Sequence, residues 1–345
     1  MSDRRIGKPS PGRLKALLSG RLGAPAPHLL VPPGPGFDAA VLELPDGRVM
    51  AVAEDPIFPA IGLPLEIMGW FTVHIGASDV AVTGVQPRYM TYTLLLPTAG
   101  PESDAQTIIT SIADTALELG ISIVGGHTGW YDAVTIPTIG GVTVWGFAER
   151  DAWISPGGAR DGDRLLMTKG PGVEAAALLA IVYQDRLKGQ IAEEQLARLR
   201  QRVEQITVVN DALIAFACGG VHAMHDATES GVLGGAYEMA DAAGIPVAID
   251  LDAIEVPADI RELARALAFD PWQAISEGTL LAAVEPSSVP RVRDAWRAAG
   301  IESYELGYFD RSLGRSSVRR NGATVVLDEP GEDPFWDLYF ADLRA

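Results

Sequence analysis

Apolar segments of strand-like and helical period alternate along almost the whole chain, and one polar break at residues 155–163 divides the series. Before the break, residues 41–44 and 48–54 predict two strands. The turn between them carries Asp46-Gly47, a hairpin signal because Gly reaches the positive φ of a tight turn. Residues 65–84 place Ile67, Phe71, Ile75 and Val82 at helical spacing and end at a Gly. A strand over 89–96 ends at Pro97, and a helix over 103–119 is stopped by Gly120. A short strand over 121–124 runs into Gly125-Gly126, and 134–149 predicts one or two more strands. After the break, 164–168 restarts a strand and Gly170-Pro171-Gly172 turns the chain into a helix. The mixed pattern continues to a closing hairpin with Asn321-Gly322 at its turn. There is no short-period repeat, low-complexity tract or heptad run. The 345 residues suit two domains at about 100–200 residues each. The break places them at 1–158, with an N-terminal arm to about residue 30, and 159–345.

Charge and cysteine content exclude several functions. Lys and Arg total 27 against 45 Asp and Glu, a net charge of −18 that repels nucleic-acid phosphate and anionic lipid. Neither nucleic acid nor a membrane is therefore an expected partner. No run approaches the roughly 18 apolar residues of a membrane-spanning helix. A single Cys, Cys218, rules out an internal disulfide, a Cys-based zinc site and an iron–sulfur cluster, and reads as a reduced, cytoplasmic protein. The basic N-terminal stretch has the charge of a transit peptide, but Pro9 and Pro11 interrupt it and it reads as an ordinary arm.

Familiar nucleotide and hydrolase motifs are absent: there is no G-x-x-x-x-G-K-[ST], H-E-x-x-H or G-x-S-x-G. Gly34 to Ala39 spells G-x-G-x-x-A, yet it precedes a strand, whereas the dinucleotide fingerprint follows one and opens a helix. What remains is polar residues isolated among apolar and Gly-rich neighbours. They are Asp38, Asp55 beside Glu54, Asp79, the run Gly125-Gly126-His127-Thr128, and the run from His222 to Gly231. A strand-end carboxylate is most often solvated or capping a helix, and His74 reads as a satisfied core histidine. Asp79 is different, because its helix is apolar on both sides and a buried carboxylate must be paired, hydrogen-bonded or metal-bound. Hard divalent cations take carboxylate oxygens and phosphates, so convergent Asp residues without a phosphate loop would hold a triphosphate through its metals. Lys169 has two open readings, a surface Lys at a strand-to-helix turn or a phosphate contact beside a helix N-terminus. Thr228 to Gly231, opening a helix over 232–242, offers a second such terminus.

These residues carry a family resemblance. The run Pro35-Gly36-Phe37-Asp38-Ala39-Ala40-Val41, followed by Asp55-Pro56, resembles the G-x-D-D-A-A-V and T-D-P elements of the AIR synthase-related superfamily. The segment from Val73-His74 through Ala77-Ser78-Asp79-Val80-Ala81 to Pro87-Arg88-Tyr89 is similar to its V-H-x-x-A-N-D-I-A…P-R-Y helix and turn. Ile123 to Thr128 resembles I-V-G-G-H-T. Thr168-Lys169-Gly170 and the run Met224-His225-Asp226-Ala227-Thr228-Glu229-Ser230-Gly231 resemble T-K-G and A-M-H-D-P-T-E-G-G, and Ile275 to Leu281 resembles I-S-x-G-x-L-L. The matches keep their order over about residues 30–310. The resemblance implies a PurM-like two-domain architecture, α/β plus α+β, with an N-terminal sheet domain that dimerises. It also implies Mg-ATP bound near the dimer interface and used to activate an amide, carbonyl or phosphate oxygen.

Departures from the pattern narrow the choice. The carbamoyl dehydratases of hydrogenase maturation carry a C-terminal Cys, where this sequence ends Phe340-Ala341-Asp342-Leu343-Arg344-Ala345. Selenophosphate synthetases carry a Cys or selenocysteine near the start, and thiamine-phosphate kinases have Asp where His127 stands. The pattern fits best the hydrogenase-maturation-like branch without the Cys. Phe37 replaces the first of the paired acids, Gly129 replaces a Glu, and Ser230 replaces a Gly. The resemblance thus implies Asp38, Asp55, Asp79 and Asp226 as Mg²⁺ ligands, His127 and Asp226 in catalysis, and Gly125, Gly126, Thr128, Lys169, Thr228 and Gly231 around ATP. The expected activity is phosphoryl activation of a small substrate by a homodimer. The alternatives are a nucleotide-binding regulatory or scaffold protein and a thiamine-phosphate-kinase-like phosphotransferase. At a net charge of −18 the site needs divalent metal to hold a triphosphate.

Overall fold

In the computed structural model, which describes residues 6–57 and 63–341, the strand signals of the first half assemble into one six-stranded sheet. The first five residues of the N-terminal arm and the last four of the C-terminal part lie outside the described residues. The strands are β1 (Leu29–Val31), β2 (Ala40–Glu43), β3 (Val49–Ile57), β4 (Tyr89–Pro97), β5 (Ser122–Tyr131) and β6 (Thr138–Ala148), in the order β1-β2-β3-β6-β4-β5. Neighbours are antiparallel except β4 and β5. The β2–β3 hairpin turns through Asp46-Gly47, where the Asp46 carboxylate accepts the Arg48 N–H at 3.1 Å. Strand β3 runs three residues past the expected end, so Asp55 is paired with Val142 inside the sheet instead of standing at a strand terminus.

Strand β5 departs furthest from expectation. It does not stop at Val124 but continues through Gly125 to Tyr131, because a bulge at Val124 lets the pairing resume: Met90 pairs with Ile123, and Thr91 already with Gly125. A Cβ on Gly126 would stand 2.3 Å from the Tyr92 carbonyl oxygen, so Gly there answers to the close passage of two strands.

The helix Leu65–Ala81 packs on β3, on β6 and on the helix Glu102–Glu118. It is apolar almost all round because its other side is covered by the helix Val209–Cys218 of the second half. Two polar side chains fasten that contact. His74 Nδ1 lies 2.8 Å from Thr207 Oγ1, and Ser78 Oγ accepts the Val208 N–H at 3.1 Å. His74 is the satisfied core histidine expected, stacked on Trp70, and burial ahead of the nearby Lys169 charge pushes its pKa down to about 4.

The second half forms a seven-stranded sheet in the order β13-β12-β9-β11-β7-β10-β8. Its strands are β7 (Arg164–Thr168), β8 (Val221–Asp226), β9 (Val247–Asp250), β10 (Leu280–Val284), β11 (Ser303–Phe309), β12 (Ser317–Arg320) and β13 (Ala323–Val326). The last two form the hairpin turning at Asn321-Gly322, both at positive φ. One hydrophobic cluster runs through both halves, joining Val80 and Val144 to Val173, Val209 and Trp296, and a second lies around Leu165, Val247 and Phe309. The result is the expected two-domain architecture of mixed sheets and helices. Among the described residues no helix is long and apolar enough to cross a membrane.

Candidate active site

Elements from both halves converge on a cleft of about 250 Å³. Asp38, just before β2, Asp55 on β3 and Asp79 on the helix Leu65–Ala81 come from the first half. His225 on β8, Glu238 on the helix Gly231–Ala243 and Glu277, just before β10, come from the second. Lys8, Glu54 and Thr228 complete the polar lining. Asp226, the wholly buried last residue of β8, offers an oxygen within 4.8 Å of ligand atoms on Asp38 and His225.

The two cations in this group, His225 and Lys8, lie among its carboxylates. His225 is held between Asp38, 2.8 Å from Nδ1, and Glu238, 3.1 Å from Nε2. Both ring nitrogens facing carboxylates requires the imidazolium. Burial alone would lower its pKa, but Asp38 and then Glu238 hold it well above the usual histidine range. Lys8 donates its backbone N–H to Glu229 Oε2 at 2.7 Å and its ammonium to Thr228 Oγ1 at 3.2 Å.

The remaining carboxylates are short of partners. Among the described residues neither oxygen of Asp226 nor Oε1 of Glu277 meets an N–H or hydroxyl donor, and the two carboxyls face each other, joined when one holds a proton. Burial, reinforced by Asp38, pushes the Asp226 pKa up to about 7. Burial and then Asp55 and Asp226 raise Asp79 well above the carboxylate range, and burial followed by Asp226 and Glu174 does the same for Glu277. Crowded acids that retain protons mark a place for positive charge. Orphaned carboxylate oxygens are the donor set of a hard divalent cation, so these residues fit magnesium.

All four carboxylates expected as metal ligands, Asp38, Asp55, Asp79 and Asp226, are therefore brought together, and Thr228 lines their cleft. Gly231 serves packing: at φ +59° its missing Cβ would lie 2.5 Å from the Ala274 carbonyl. The N–H of Ser230 at this helix start is already taken by Asp333 at 2.7 Å.

Lys169 does not match its expected part as a phosphate contact, nor is it a surface residue. Its ammonium is enclosed by the carbonyls of Thr207 at 2.6 Å and Gly278 at 2.8 Å and by Asp211 at 2.9 Å, which commits its three protons. Gly125, Gly126, His127 and Thr128 are not brought to the carboxylates either. They lie on edge strand β5, in the pairing row Asp55–Val142–Tyr92–Gly126, three strand spacings or about 14 Å from Asp55. There His127 Nε2 pairs with Tyr131 Oη at 2.6 Å.

Sequence reasoning missed Lys8, His225, Glu238 and Glu277. His225 and Glu277 sit inside motifs already singled out, whereas Glu238 is one polar residue on a helix and carries no local signal. Phe37, standing where the family pattern has an acid, lines the cleft beside Asp38.

Residues 36–148 match the AIR synthase related protein N-terminal domain, and residues 160–315 match its C-terminal domain. The chain is 29% identical over 286 residues to the carbamoyl dehydratase HypE of Cupriavidus necator, covering 81% of this chain and 76% of the relative. It is 30% identical to the selenide, water dikinase of Nitratidesulfovibrio vulgaris, over 74% of this chain and 71% of the relative. Among solved structures, hydrogenase maturation protein HypE in complex with ATP superposes with a TM-score of 0.68 at 20% identity, over 96% of this chain and 98% of that one.

Proposed function

The chain belongs to the AIR synthase related family, and from that premise we propose that it is a magnesium- and ATP-dependent enzyme that activates an oxygen of a small acceptor by phosphorylation. The observation that carries this reading is the convergence of Asp38, Asp55, Asp79 and Asp226 from both halves, with Asp226 wholly buried and meeting no N–H or hydroxyl donor among the described residues. A relative named as a dikinase and a similar fold solved with ATP agree with it.

Asp38, Asp55, Asp79 and Asp226 would hold the magnesium, which when bound neutralises phosphate oxygens. His225 fixes the orientation of Asp38 and is itself fixed by Glu238, so one ligand of the set is pre-positioned. Thr228 and Lys8 supply donors facing the cleft, and Glu277, beside Asp226, is a group able to hold a proton at neutral pH. Phosphoryl transfer needs chiefly this positioning and charge neutralisation.

The reading includes a homodimer. Strand β5 is a sheet edge, exposed along nearly its whole length, with Ile123, Val124, Trp130 and Tyr131 facing solvent. A part for His127 and Thr128 rests on that second copy, since within one chain they stand apart from the carboxylates.

The test is thermal melting and ATP turnover of the wild type and Asp226→Asn. Mg-ATP at about 100 times its Kd should add roughly 2.7 kcal/mol of stability, and the variant should lose both the melting shift and turnover, by about 100-fold or more. Turnover that persists unchanged in Asp226→Asn sinks the assignment. A second reading, a nucleotide-binding protein with reduced catalysis, is favoured by Phe37 in the cleft; it predicts the melting shift without turnover on any acceptor.

A further inference from the structure

Beside the carboxylate cleft lies a second cavity of about 140 Å³. Its apolar walls are Phe71 and Ile75 of the helix Leu65–Ala81, Leu178 of the helix Val173–Val182, and Phe335, Trp336 and Tyr339 of the C-terminal helix Pro334–Tyr339. Asp55, Thr228, Glu277 and Lys8 line both this cavity and the cleft, so the two spaces share a wall. A molecule held here would have one end against the residues proposed to bind metal and nucleotide.

The polar lining is one-sided. Among the described residues four carboxylates, Asp55, Glu174, Glu229 and Glu277, line the cavity against a single ammonium, that of Lys8. Lys8 is already engaged by Glu229 through its backbone and by Thr228 through its side chain. Glu174 is only 7% exposed, and among the described residues its carboxylate accepts one hydrogen bond, from the Glu277 N–H at 3.2 Å. Glu277, 3% exposed, faces Asp226, and its Oε1 meets no N–H or hydroxyl donor among the described residues. A buried acid facing an apolar space is stabilised when a cation pairs with it, and the faces of aromatic rings attract cations.

We propose that this cavity is the acceptor subsite and that it takes a small organic cation, a protonated amine, with Glu174 and the rings of Phe335, Trp336 and Tyr339 around the ammonium. The assignment of the ligand as acceptor rests on the phosphorylation reading; the chemistry of the cavity does not. Benzoate-like anions would meet four carboxylates, and a neutral alcohol would forgo both the ion pair and the ring attraction.

The experiment is calorimetric titration of the full chain with benzylammonium, benzyl alcohol and benzoate, which share one ring. Benzylammonium should bind about tenfold or more tightly than either of the others. Glu174→Gln should weaken benzylammonium by about tenfold or more, leave benzyl alcohol unchanged, and keep the Mg-ATP melting shift as proof of folding. Phe335→Leu, which keeps an apolar wall but removes a ring, should narrow the preference for the ammonium over the alcohol. Binding of the alcohol or benzoate equal to that of the ammonium overturns the proposal. So does an ammonium affinity unaltered by both substitutions. Ammonium binding with no Mg-ATP shift in the wild type would remove the phosphorylation reading and leave the cation site; the reverse result would remove the cation site alone.

Discussion

Two runs that look alike in the sequence, the Asp residues of the cleft and the Gly125 to Thr128 segment, are opposite structures. In the cleft, carboxylates from distant segments are buried against one another with too few cations, an arrangement that costs stability and persists only where something else repays it. On β5 the conspicuous residues are exposed, Gly126 is accounted for by a close strand contact, and His127 is satisfied by Tyr131. Unusual residues mark function most securely where local packing gives them no other reason to be there. By that standard the cleft is the proposed chemical site and the edge strand the proposed association surface.

The largest effect that would test this contrast comes from His225→Leu. The substitution leaves Asp38 and the partly exposed Glu238 without the buried imidazolium they share, and breaking a buried pair costs up to about 3–5 kcal/mol. Urea denaturation should show that loss, partly recovered by Mg²⁺ because the orphaned carboxylates then gain a different cation. A loss under about 1 kcal/mol would mean that His225 is not the counter-ion of this cleft.

A smaller effect follows from the protons held by the acids. The folded-state pKa values of Asp226, about 7, and Glu174, about 8, lie above their ordinary values, and His225 is raised as well. Between the ordinary histidine pKa of 6.5 and about pH 8 the folded chain thus binds more protons than the unfolded one, so stability falls as pH rises. His74, with its pKa near 4, acts in the opposite direction but only below 6.5. In EDTA the decline should approach about 1.4 kcal/mol per pH unit for each proton, measured by denaturation at several pH values, and saturating Mg²⁺ should flatten it. Stability that rises with pH in EDTA across this window would contradict the crowded-acid account.

Legibility in the sequence divides along the same line. Asp79 was readable because a carboxylate inside a helix apolar on both sides has few outcomes, and the structure buries it beside Asp55. The hairpin turns were readable because positive φ leaves few residue choices. Lys169 was not: its partners Thr207, Asp211 and Gly278 lie far along the chain, and only the tertiary fold brings them to one ammonium. Glu238 was not, because a single Glu on a helix is ordinarily a solvated residue. The length of β5 escaped because the local rule that paired glycines end a strand gave way to a bulge on β4 pairing.

The smallest stability effect, and the sharpest test of the second half of the contrast, belongs to Val124→Glu. Val124 is 53% exposed and occupies the bulge, so it makes little packing contribution within one chain. The substitution should change unfolding free energy by no more than about 0.5 kcal/mol. A charge on an unpaired edge should nevertheless prevent a second copy from adding there. Sedimentation of the wild type and the variant at matched concentrations should therefore show a dimer becoming a monomer while the melting curve of the variant stays cooperative. If both proteins sediment as the same dimer, the edge strand is not the association surface. If the wild type is itself a monomer, the inferred part of His127 and Thr128 falls, and the carboxylate cleft alone carries the chemistry.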